Sequence, residues 1–121
     1  ECDAVLNVPE RYHVAAIYAE EYHFYAPSAA GQLLALRRDL ADLPLQLASD
    51  VIERGCLLSL DEHEPVAWQP SEQLCPISAR MKAYFAHPAY CAAVAESARR
   101  LRYAVDWVQY ERIKNGAPLN E

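Results

Sequence analysis

Glu20 and His23 stand three residues apart, and His13 lies two helical turns before Glu20. Residues at i and i+3 on a helix project side by side, so all three side chains share one side of a helix predicted here. Glu-x-x-His is the spacing of carboxylate-bridged di-metal bundles, which take a second Glu-x-x-His and two more glutamates from facing helices. The chain has no second Glu-x-x-His. The residues leave a mononuclear metal site of His13, Glu20 and His23, completed from elsewhere, as one reading. A solvated polar stripe is the favoured one. Asp61, Glu62, His63 and Glu64 are four further polar ligand types in a row. Consecutive residues of an extended chain point alternately, and the central glycine of a calcium loop is absent, so the stretch reads as a soluble turn. No cofactor is expected. There is no Gly-x-Ser-x-Gly and no glycine-rich phosphate loop.

Cys2, Cys56, Cys75 and Cys91 are far apart, with no Cys-x-x-Cys pair. A structural zinc site needs close ligand pairs, so this spacing argues against one. It suits two long-range disulfides in a processed, exported protein, periplasmic or secreted. Cys56 with Cys75 would be the local pairing, leaving Cys2 with Cys91. The alternative is four reduced thiols serving as small core residues in the cytosol.

Arg80 and His87 are separated by six residues in Arg80-Met81-Lys82-Ala83-Tyr84-Phe85-Ala86-His87. An arginine can hold a phosphate and a histidine can assist a hydroxyl nucleophile. The stretch resembles the RNase motif of HEPN domains, which are all-helical proteins of similar length. That resemblance implies that Arg80 holds the scissile phosphate and His87 assists attack by the ribose 2′-hydroxyl. It covers eight residues of the 121, and Met81 stands where many members carry a polar residue. His87 is also a ready cap for the helix after it.

The elements that must carry these residues read as helical. Glycine occurs only three times, too rarely for the turns of an all-β chain. A first helix is expected from Pro9 to Ala26, with Val14, Tyr18, Tyr22 and Tyr25 on one face. Pro27 ends it. Ser28 can cap a second helix running to Asp42. Asp42 can cap a short third with Leu45, Leu47, Ala48, Val51 and Ile52 inward, stopped by Gly55. Cys56–Leu60 and Val66–Trp68 can form a hairpin. A fourth helix covers Ile77–Ala86. A fifth starts at His87-Pro88 and reaches Lys114 or Asn115, where Asn115-Gly116 followed by Pro118 stops it. At about 27 residues it would be about 40 Å long. The fold expected is therefore all-α: one helical domain, a bundle of about five helices with a long C-terminal helix, and at most a short β-hairpin around residues 56–68.

On that long helix Tyr90, Cys91, Val94, Ala98, Leu101, Ala104, Val105 and Val108 form the inward stripe. Tyr103, Trp107 and Tyr110 fall opposite, among Glu96, Arg99, Arg100 and Asp106. Tyr, Trp and Arg are enriched where proteins bind proteins. Tyr103, Trp107, Tyr110, Arg99 and Arg100 are thus the candidate partner-binding residues, unless shorter helices cover them. The net charge of −6 disfavours nucleic acid as a partner. No apolar run is long enough to span a membrane. The expectation is a small acidic non-enzymatic binding protein, of inhibitor, immunity or accessory type, contacting another protein or a second copy of itself.

Overall fold

The computed structural model describes residues 2–116. Its elements run β1 (Ala4–Asn7), α1 (Tyr12–Ile17), β2 (His23–Phe24), α2 (Pro27–Asp39), α3 (Leu45–Glu53), β3 (Leu57–Ser59), β4 (Gln73–Pro76), α4 (Ala79–Ala86), α5 (Pro88–Arg100), β5 (Tyr103–Val105) and α6 (Trp107–Lys114). The architecture is mixed α/β, not all-α. Strands β1, β4 and β2 form one antiparallel sheet in that order, and β3 with β5 forms a second.

The long C-terminal helix is the main correction. It is cut at Arg100 because groups from α2 take over its end. The Arg38 guanidinium donates to the Ala98 carbonyl at 2.8 Å and to the Leu101 carbonyl. The Asp39 carboxylate holds Arg38 and accepts the Tyr103 amide at 2.9 Å. Orphan carbonyls at a helix end are thereby satisfied from outside, and the chain is free to extend. Leu57, Leu58 and Ser59 then pair with Val105, Ala104 and Tyr103. Asp106 restarts the helix as its cap, accepting the Gln109 amide at 3.1 Å.

The first expected helix also stops early, at Ile17, and its second half becomes a turn and strand β2. Gln73, fully buried in β4, donates its side-chain amide to the Ala15 carbonyl at 3.2 Å. That carbonyl would otherwise accept the next helical bond. Phe24 then buries its ring in the core as β2 pairs with β4.

Smaller boundaries shift for local reasons. Pro27 is the first residue of α2 and Ala26 its cap, so Ser28 lies inside the first turn. Pro44, and not Asp42, precedes α3. Gly55 ends α3 with φ of 73°, its amide donating to the Ile52 carbonyl and the Cys56 amide to that of Val51. This is a Schellman stop, for which the left-handed residue is best a glycine. After β3 the chain turns back so that Leu58 bridges Pro65, but Val66–Trp68 is not a strand. Ser78 caps α4 and His87 caps α5, close to the expected positions. Asn115-Gly116 closes α6, and Pro118 lies outside the described residues.

The core gathers residues of α1, α2, α3 and both sheets. Tyr12 and Ala15 of α1, Leu33, Ala35 and Leu36 of α2 with its C-cap Leu40, Val51 and Ile52 of α3, Phe24 of β2, and Leu57 and Tyr103 of the second sheet belong to one buried cluster. Each large aliphatic side chain so buried contributes about 1.5–3 kcal/mol.

Candidate functional site

The α2–α5 pair carries a mostly apolar cleft. The two helices begin with prolines and run side by side in the same direction. Pro27 lies near Tyr90, Gly31 touches Val94, Ser97 and Ala98, and Arg38 reaches the end of α5. Gly31 permits this approach, since a Cβ there would sit 2.3 Å from the Ser97 Cβ and 2.9 Å from the Val94 carbonyl oxygen.

Beside this contact lies a cleft of about 300 Å³. From α2 it is lined by Ala30, Leu33, Leu34 and Arg37, and from α5 by Tyr90, Cys91, Val94 and Ala95. Ala19, Tyr22, His23 and Phe24 close its other end. Leu34 is 49% exposed, although it lies on an apolar wall. Arg37 has no carboxylate partner among the described residues. Arg99 lies one turn beyond Ala95 on the same row of α5, so a second guanidinium continues that wall.

An aromatic cluster borders the cleft at Phe24 and Tyr90. The Tyr90 hydroxyl donates to the Phe24 carbonyl at 2.5 Å, and the Tyr84 hydroxyl to that of Tyr25 at 2.7 Å. Tyr25 stacks on Tyr84 with ring centres 4.8 Å apart, and Phe85 meets Tyr90 edge-on at 5.1 Å. Burial, reinforced by neighbouring Tyr84, pushes the Tyr90 hydroxyl up to about 12. It therefore stays a donor. No residue of α4 or α5 is fully buried, so this cluster is a surface.

The structure disperses the residues singled out from the sequence. Tyr103 and Tyr110 are buried, the first in β5 and the second in α6, where its hydroxyl donates to Asp50 at 2.8 Å. Trp107 is exposed at the start of α6, edge-on to Tyr110. Arg99 and Arg100 are exposed on α5, both paired with Glu96. The single aromatic and arginine face therefore does not form, because the helix that would present it is interrupted.

Arg80 pairs with Asp3 at 2.6 Å on the open side of α4. His87 accepts the Ala89 amide at 3.0 Å as the cap of α5. Each has a structural task, and the all-helical fold implied by the HEPN resemblance is not found. His13 is hydrogen-bonded to Ser49 at 2.8 Å, whereas His23 packs on Phe85 with ring centres 5.1 Å apart. Among the described residues no three metal-ligating side chains gather. His63, in the acidic turn, adopts a φ of 57°.

All four cysteines are free thiols and no two stand at bonding distance, which corrects the disulfide expectation and removes its support for export. Cys2 and Cys91 are exposed, Cys75 is half-buried in β4, and Cys56 is buried. Burial, followed by the charge of Asp106, pushes the Cys56 thiol up. No helix among the described residues is long and apolar enough to cross a membrane.

The cleft was not foreseen from the sequence. Its signal was the small residues of α2, Ser28-Ala29-Ala30-Gly31, and of α5, from Ala92 to Ala98. Helices rich in small residues can pack closely along a shared row. No protein-family model, curated protein or solved structure matches the chain.

Proposed function

We propose that this chain is a non-enzymatic protein-binding domain that docks another protein over the α2–α5 cleft. An apolar side chain of the partner would sit between Leu34 and Val94, with an acidic neighbour facing Arg37. The observation that carries this reading is the apolar cleft itself, lined by α2 and α5, with Leu34 half exposed on its wall and no residue of α5 fully buried. Exposed apolar surface of this kind is costly to leave in water and is characteristic of interaction sites. The unpaired Arg37 supplies polarity and orientation, as charged groups at interface margins do.

A photo-crosslinking amino acid placed at Leu34 tests the reading, with the same probe at exposed Gln46 of α3 as control. The expected result in extract of the source cells is one discrete adduct at position 34 and none at 46. The purified adducted protein should bind the unlabelled chain at one to one, at least tenfold weaker with Leu34→Asp. Equal labelling at both positions, or binding indifferent to Leu34→Asp, would refute it.

A further inference from the structure

Strand β1 is an edge of the three-stranded sheet, with β4 as its only strand partner among the described residues. Val5 stands opposite Cys75 and Asn7 opposite Gln73. The Ile77 amide donates to the Asp3 carbonyl at 2.8 Å, which fixes the phase of the ladder. In an antiparallel pair, successive residues turn their backbone groups to opposite sides. Asp3, Val5 and Asn7 therefore face β4, and Ala4, Leu6 and Val8 face outward. Pro76 fits this phase, because it stands opposite Ala4, where the ladder needs no amide hydrogen.

The outward groups are unclaimed. Among the described residues nothing accepts the amides of Leu6 and Val8 or donates to the Leu6 carbonyl, and the Ala4 carbonyl meets only the Cys2 thiol. Val5, Leu6 and Val8 are 42%, 57% and 44% exposed. No charged side chain occurs from Ala4 to Pro9. Sheet edges that avoid pairing usually carry a lysine, another charge or a bulge, and β1 has no charge.

We infer that β1 pairs with β1 of a second copy, antiparallel about a twofold axis through Leu6, joining the two sheets into one. In that register Leu6 exchanges both backbone hydrogen bonds with Leu6 of the second copy. The Val8 amide meets the Ala4 carbonyl across the axis, and reciprocally. Leu6 lies beside Leu6 and Val8 beside Ala4 on one face, and Val5 beside Asn7 on the other. Moving the axis by half a residue sets outward groups against inward ones. Moving it by one leaves either Val8 or Ala4 without a partner among Ala4, Leu6 and Val8. Leu6 is thus the centre that uses every outward residue, and no like charges meet there. This inference is separate from the cleft and does not depend on it.

Sedimentation velocity of the purified chain, with reductant to keep Cys2 and Cys91 from crosslinking, tests the inference. Small interfaces are weak, so a monomer–dimer shift is expected as concentration rises towards about 1 mM. Leu6→Pro deletes an outward amide hydrogen and leaves the bonds to β4 intact, and proline is tolerated on edge strands. It should be monomeric throughout with an unchanged circular dichroism spectrum. If Leu6→Pro fails to fold, Leu6→Lys decides, because two ammonium groups would face one another across the axis. Leu34→Asp should dimerise like the unsubstituted chain. A chain that is monomeric at every concentration overturns the inference, and so does a dimer that survives Leu6→Pro or Leu6→Lys in folded protein.

Discussion

Tyr90 ties the two halves of the cleft wall together through one hydrogen bond, and that bond requires its proton. Folding raises its hydroxyl from the ordinary 10.0 to about 12, so the folded chain holds this proton more tightly than the unfolded one. Its contribution to stability is therefore complete below pH 10.0 and is lost as the pH rises through about 12. Denaturation midpoints should fall over that window, and less steeply in Tyr90→Phe. Parallel profiles for the two proteins would contradict this assignment. The thiols give a second prediction at this scale. Intact mass without reductant should correspond to four free thiols, with Cys2 and Cys91 alkylated quickly and Cys56 only on unfolding. A mass short by two disulfides, or early labelling of Cys56, would contradict the structure. The histidines and Arg80 show what spacing alone leaves out. Their spacing was legible, but spacing carries no information about Asp3, Ser49 or Phe85, which come from distant parts of the chain and occupy them.

At the level of elements, the stops and the cap of α5 were legible. His87-Pro88, Gly55 and Gly116 act locally, through bonds within a turn or two, whereas the caps expected at Ser28 and Asp42 are displaced to Ala26 and Pro44. The break between α5 and α6 was not legible, because its cause is not local. Helical spacing runs through Leu101–Asp106 without interruption, and only Arg38, Asp39 and β3 impose an extended path there. The inserted strand changes the phase of α6 relative to α5. Val108, on the inward stripe of an unbroken helix, is 75% exposed, whereas Tyr103 and Tyr110, on its outer face, are buried. The α2–α5 crossing is the most demanding contact between elements. Gly31→Ala places a methyl group within 3.0 Å of backbone atoms of α5, so the helices must separate. The expected loss of stability is about 1–3 kcal/mol by urea denaturation. A loss below a few tenths of a kcal/mol would mean that the helices are not packed as described.

For the whole molecule, composition gave a bound on the core and little shape. An apolar fraction of 53% promised a core, and the core exists. The two sheets were hidden because their strands are at most four residues long and pair across distant parts of the chain. They nevertheless shape the surface: the first sheet anchors β2, whose His23 and Phe24 line the cleft and whose Phe24 carbonyl accepts the Tyr90 hydroxyl. Arg37 then gives a local positive group to a chain whose net charge is −6, which suits an acidic partner segment. The most direct measurement is an amide chemical-shift map of the chain titrated with the protein that crosslinks at position 34. Docking over the cleft predicts perturbations centred on Ala30, Leu34, Cys91, Val94 and Ala95. Perturbations confined to α3 and α6, with α2 and α5 silent, would contradict it.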